Sequence, residues 1–186
     1  ERWDLVFNFC EGLHGFGRES LVPALLDTWQ VPYVFSDPLA CAVTLHKGVA
    51  KHVVRGHGLA TPDFAVVEAA GEARGLGLRY PLFAKPVAEG TGKGISAASR
   101  ARTEEELVAV CASLLERHRQ PVIIEEFLPG REFTVGVVGT GPAAEAIGTM
   151  EVHLGPKADP GIYTFDNKEH WEGRVSYSLL TEEPLR

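Results

Sequence analysis

Apolar positions change their period several times along this chain, and each change marks the border of an element. Trp3 to Phe9 is a run of aromatic and β-branched residues that predicts a short buried strand. From Ser20 to Trp29, Leu21, Ala24, Leu25 and Thr28 recur at helical spacing behind a capping hydroxyl, which predicts a helix. Val31 to Phe35 reads as a second strand. Strand, helix and strand in close succession predict a βαβ unit with parallel strands. Ser36-Asp37-Pro38 then combines a cap, an early carboxylate and a first-turn proline, so a long helix is expected to about Arg55, stopped by Gly56 or Gly58. Its apolar surface comes from Leu39, Ala42, Val43, Val49, Ala50, Val53 and Val54, and Lys47 and Lys51, four apart, share a face of the kind that is usually solvated.

The second half reads as alternation broken by turns. Thr61-Pro62 forces extended geometry and starts a strand that runs to Val67, and a short helical or irregular piece follows from Glu68 to Gly77. Thr103 and Glu106 form a capping-box pattern ahead of Leu107, Val110, Cys111, Leu114 and Leu115, which predicts the clearest helix in the chain. Pro121 to Leu128 is an apolar strand that ends in two acids, and Glu125 and Glu126, as neighbours on a strand, must face opposite sides. After Leu128-Pro129-Gly130, alternation resumes from Arg131 to Val138, turns at Gly139 to Pro142, and returns from Ala143 to His153 as an antiparallel meander. Leu154 to Trp171 is polar and irregular, with Phe165-Asp166-Asn167-Lys168 as its most pointed feature.

A chain of 186 residues buries one good core or two small ones. No apolar run approaches the ~18 residues of a membrane helix and no secretory signal is visible, so a cytoplasmic location is expected. The formal net charge of -7 argues against nucleic acid as a partner, because a phosphate backbone needs a basic face. Cys10, Cys41 and Cys111 lack both CxxC spacing and an even number, and are expected as small core residues; no HExxH or His/Cys pairing points to a metal.

The candidate chemistry lies in Tyr80 to Ser96, YPLFAKPVAEGTGKGIS. An apolar run from Pro81 to Ala84 delivers Lys85, a glycine-rich loop from Glu89 to Gly94 follows, and a second strand-like run begins at Ile95. Glycines let the backbone approach an anion closely, and the flanking lysines favour phosphate. A Walker A loop needs a glycine where Val87 stands and a hydroxyl where Gly94 stands; a dinucleotide fingerprint needs a helix to open after the glycines. A flap between antiparallel strands remains.

Taken together, Lys47, Lys85, EGTGKG, EEFLPGREFTVGVVG and the FDNK loop resemble the ATP-grasp superfamily, and more narrowly the D-alanine-D-alanine ligase family. The resemblance covers nearly the whole chain from about Asp4. It implies an ATP-grasp fold, α/β and α+β, with the end of an N-terminal βαβ domain at 1–40, a central ATP-binding domain at 41–128 and the start of a C-terminal antiparallel sheet domain at 129–186. The implied chemistry is ATP-dependent ligation of small amino acids through an acyl phosphate, plausibly giving D-alanyl-D-alanine. By resemblance, Lys47 and Lys85 contact the ATP phosphates, Glu89, Gly90, Thr91, Gly92 and Gly94 form the loop over them, and Lys168 reaches them from a mobile segment, with Lys85 and Lys168 catalytic. Glu125, Glu126, Phe127 and Leu128 match the strand that reads adenine, and Glu132 the carboxylate on the ribose. Magnesium is implied, with ligands outside this chain, as is a homodimer; the chain is expected to be a segment of a longer protein that is inactive alone. It departs from the family pattern at Thr91-Gly92, where two serines are common, at Lys93, at His46 and at Glu169. A ligase for other amino acids and a non-catalytic nucleotide-binding module both stay open.

Overall fold

The computed structural model describes residues 3–159 and 161–180. Its helices are α1 (Leu21–Thr28), α2 (Pro38–Leu45), α3 (Lys47–Gly56), α4 (Glu104–His118) and α5 (Phe165–Glu169). Its strands are β1 (Phe64–Val67), β2 (Leu82–Pro86), β3 (Arg100–Ala101), β4 (Val122–Glu126), β5 (Glu132–Val138), β6 (Glu145–Leu154) and β7 (Val175–Leu179). They form two antiparallel sheets, one ordered β1-β4-β2-β3 and one ordered β5-β6-β7.

Pairing of β2 with β4 sets Leu82 opposite Glu126, Ala84 opposite Ile124 and Pro86 opposite Val122. Because side chains alternate across a sheet, Leu82, Ala84, Val122 and Ile124 share one face, and Val67 joins them from β1. α4 closes that face with Leu107, Val110, Cys111 and Leu114, making the main core. Cys111 belongs to it, and burial pushes its thiol up to about 11, so it stays protonated and inert. Cys41 is only half-buried and Cys10 is exposed, so a single one of the three expected core cysteines is one. Thr103 Oγ1 accepts the Glu106 N–H (3.2 Å), but the Glu106 carboxylate reaches back to the Arg102 N–H (2.6 Å), so the reciprocal half of the capping box slips by one residue.

The N-terminal reading needs correction. Residues 3–9 form no strand; a single parallel bridge joins Val6 to Tyr33, with Val6 N–H donating to Pro32 O (2.8 Å) and Val34 N–H to Val6 O (3.0 Å). The parallel sense matches a βαβ connection, but one bridge gives no sheet face to pack on, and Trp3, Leu5, Phe7 and Phe9 are exposed. In α1 the buried residues are Pro23 and Leu26 rather than Leu21 and Leu25, because the chain enters through a 3-10 turn at Arg18–Ser20 that packs on α2. The Ser20 hydroxyl donates to Gly17 O (2.6 Å) and does not cap the helix.

The expected long helix is two. Asp37 caps α2 by accepting the Ala40 N–H (2.8 Å), and His46, at φ -87° and ψ 94°, breaks the helical path and caps α3 through Nδ1, which accepts the Val49 N–H (3.2 Å). Gly48 follows directly, and a Cβ built there would meet Val66 Cγ2 at 2.9 Å, so the start of α3 lies tight on β1. The strand expected from Ile95 is confined to Arg100–Ala101, after a 3-10 turn at Ala97–Ser99. α5 and β7 had no counterpart in the sequence reading.

Candidate functional site

The same alternation that buries Leu82 and Ala84 turns Phe83 and Lys85 to the other face, where Phe83 stands opposite Glu125. Lys85 Nζ forms an ion pair with Glu125 Oε1, and Lys51 Nζ reaches Glu125 Oε2 at 3.0 Å while donating to Thr61 Oγ1 at 2.6 Å. Burial pushes the Glu125 carboxyl up, but the two ammonium groups outweigh it and hold it below the usual glutamate range. Lys47, first residue of α3, is half-buried and donates to the carbonyl of Glu89 (2.5 Å). Burial, then the nearby Lys85 charge, lowers its pKa; Glu89 and Glu19 offset this only in part. Two ammonium groups thus share one carboxylate, and half-buried Lys47 lies near enough to Lys85 to feel its charge, an arrangement that an anion would stabilise.

The glycine-rich loop folds as two successive turns, Lys93 N–H to Gly90 O (3.0 Å) and Ile95 N–H to Gly92 O (2.9 Å), with positive φ at Thr91, Gly92 and Gly94. At Gly94 a Cβ would lie 2.6 Å from Pro86 Cγ, so only glycine lets the loop fold back on β2. Gly92 lies against Lys168, whose Cδ and Nζ would be 3.6 Å from a Cβ there. Lys168 comes from α5, and its ammonium rests over the Tyr163 ring, 4.5 Å from the centroid. Buried Asn167 fixes this segment: its N–H donates to Thr164 Oγ1 (3.1 Å), its Nδ2 to Ile162 O (2.9 Å), and its Oδ1 accepts the Asp159 N–H (3.1 Å).

Between the two sheets lies a cavity of about 400 Å³. Lys85, Glu125, Phe127, Leu128, Glu132 and Lys168 line it, with Phe83 and Tyr163. The Phe83 and Phe127 rings lie 6.0 Å apart, an apolar end opposite the cationic one. Glu126 contributes only its backbone side, since its carboxylate turns away to Arg79 Nε (3.0 Å) and Nη2 (2.7 Å). Lys47, Glu89 and Gly90 fall at the base of the loop, where Glu89 also lines a second cavity of about 440 Å³ bounded by residues 11–18 and the end of α4. Lys51, expected on a solvated face, is a half-buried partner of Glu125; its spacing from Lys47 is the available signal. Tyr163 and Gln120 carried no sequence signal, being single polar residues in irregular stretches. Among the described residues no group of three or more His, Cys, Asp or Glu could hold a metal ion.

Residues 53–182 match the profile of the family described as "D-ala D-ala ligase C-terminus". The chain belongs to this D-alanine-D-alanine ligase family. Among curated relatives, the D-alanine–D-alanine ligase of Aquifex aeolicus is 32% identical over 93% of this chain and 56% of its own length. Among solved structures, the D-alanine-D-alanine ligase from Coxiella burnetii is 26% identical with a TM-score of 0.63, over 80% of this chain and 42% of that one. The VanG D-Ala:D-Ser ligase from Enterococcus faecalis is 27% identical with a TM-score of 0.69, over 95% and 49%. The chain therefore spans about half the length of the ligases it matches, and the fold is their ATP-grasp fold. No described helix is long and apolar enough to cross a membrane.

Proposed function

We propose that the protein containing this chain joins two D-amino acids, D-alanine to D-alanine, at the expense of ATP. The observation that carries the proposal is the cavity in which Lys85 of β2, Glu125 of β4, Glu132 of β5 and Lys168 of α5 meet beside Phe83 and Phe127. A nucleotide triphosphate fits that chemistry: an aromatic end for a base, a carboxylate for ribose hydroxyls, and amines short of counter-charge.

A carboxylate acylates an amine only after one of its oxygens becomes a good leaving group, and the γ-phosphoryl group of ATP provides that. The residues here bind and orient. Lys47 and Lys85 attract the phosphate oxygens, and Lys51 keeps Glu125 compensated when the Lys85 charge turns to phosphate. The Tyr163 ring holds the Lys168 ammonium close to Gly92, from where it reaches phosphate as the loop shuts and excludes water. The N–H groups of Glu126 and Phe127 are taken by Asp63 O and Pro81 O (3.0 Å each), so a donor for the adenine edge falls to the Leu128 N–H, while the carbonyls of this stretch can accept from its amino group. Among the described residues no group of three or more His, Cys, Asp or Glu offers magnesium a ligand set, and its ligands would lie elsewhere in the protein. With this function go division of the chain near residues 40 and 128, a cytoplasmic location and a homodimer.

The test is phosphate release by the full-length protein with ATP, magnesium and a panel including D-alanine, D-serine and L-alanine. Release that depends on D-alanine is expected. Calorimetric ATP binding without amino-acid-dependent release would instead make the protein a nucleotide-binding module.

A further inference from the structure

Gln120 lies on the short joint between α4 and β4, after Arg119, whose backbone is left-handed at φ 51°. Its amide makes two hydrogen bonds to consecutive residues at the root of the glycine-rich loop. Its Oε1 accepts the Ala88 N–H (2.8 Å) and its Nε2 donates to Glu89 Oε1 (2.7 Å). The other Glu89 oxygen lies 3.8 Å from Arg18 Nη2, and the Glu89 carbonyl receives the Lys47 ammonium (2.5 Å). One residue further back, Val87 N–H donates to Pro121 O (2.9 Å), so the joint is laced to the loop root at three successive residues. Among the described residues, Gly90 to Gly94 hydrogen-bond only within their own turns, and Lys93 at the tip is exposed.

From this geometry we infer that Gln120 is a positioning residue for the glycine-rich loop. It holds Ala88 and Glu89 still, so that flexing begins at Gly90 and the Glu89 carbonyl keeps Lys47 aimed at the site. This rests on the nucleotide reading above for what the loop covers, but not for the anchoring itself. A side-chain amide suits the task because it offers one acceptor to a backbone N–H and one donor to a carboxylate in fixed geometry. Leucine offers neither. Glutamate keeps the acceptor but, ionised, has no proton to donate and meets Glu89 as a like charge.

The experiment uses the full-length protein, with Gln120→Leu and Gln120→Glu compared with wild type. Trypsin cleavage after Lys93 reports loop freedom without any assumption about the reaction, and D-alanine-dependent phosphate release gives kcat and KM for ATP. Gln120→Leu is expected to be cut after Lys93 several-fold faster and to lose about ten- to a hundredfold in kcat, with a smaller change in KM for ATP. Gln120→Glu, which keeps the acceptor for the Ala88 N–H but sets a second carboxylate beside Glu89, is also expected to be cut after Lys93 several-fold faster than wild type and to lose in kcat more than in KM for ATP. A wild-type cleavage rate in either variant would overturn the assignment; if Gln120→Leu fails to fold, the cleavage rate of Gln120→Glu decides. Absence of phosphate release from wild type would count against the ligase and leave the trypsin result to judge the anchor.

Discussion

Neighbouring residues of β2 and β4 part company: Leu82, Ala84, Val122 and Ile124 go beneath α4, whereas Phe83, Lys85 and Glu125 line the cleft. The covered face is apolar and almost without solvent contact. The open face carries Lys85 and Glu125, and α3 adds Lys51, 3.0 Å from the same carboxylate. Sheet alternation lets one pair of strands serve both ends, and a slip of one residue would exchange them. Stability and binding should therefore separate by the parity of the position changed.

The sharpest way to break that comparison is to remove charge from the open face. Lys85→Ala should cut turnover by about 10²–10³-fold, as losing a donor aimed at developing charge does, while the melting temperature stays close to that of wild type. Ile124→Ala, one residue from Glu125 but facing α4, should do the reverse. It leaves a cavity in a fully buried site and should cost about 2–5 kcal/mol in chemical denaturation, with nucleotide affinity of the folded fraction unchanged. Equal losses of both properties in either variant would mean that the faces are not independent.

A smaller effect follows from the lowered pKa of Lys47. Its folded state disfavours the proton, so the free protein gains stability as the pH rises from that depressed value toward the ordinary 10.5. A bound anion favours the proton, so nucleotide affinity should hold below the depressed value and fall as the pH rises through it, before exposed lysines titrate. Titration calorimetry across that alkaline window checks this, and Lys47→Arg should flatten the profile. Arg79→Ala sets the lower limit. It removes the partner of Glu126 on a fully exposed side chain, and neither melting temperature nor nucleotide affinity should move measurably.

How far the sequence foretold this depends on which signal each residue carries. The period-2 and period-3.6 patterns located β2, β4, α4 and the β5-β6 turn, and the parity of Glu125 and Glu126 followed from adjacency alone. Family resemblance brought Lys85, Glu132 and Lys168 together across distances that no local pattern spans, and the structure has them around one cavity. The break at His46 was not legible, because a histidine ring capping the next helix leaves the apolar spacing undisturbed. Nor was the bareness of Trp3 to Phe9, since composition announces a strand and not what covers it. Gln120 shows the same gap at the scale of one side chain: its partners lie 31 and 32 positions away and nothing nearby marks them.

One buried peptide unit carries a mechanical consequence. The N–H of Val87 is taken by Pro121 O and its carbonyl by the N–H of Lys47, so the exit of β2, the entry to β4 and the first turn of α3 are pinned at a single residue with no solvent contact. Helix and sheet thus travel as one block, and Lys47 cannot swing toward or away from Lys85 by hinging at its own helix. In the closure proposed above, the tip of the glycine-rich loop and the stretch that bears Lys168 would therefore do the moving.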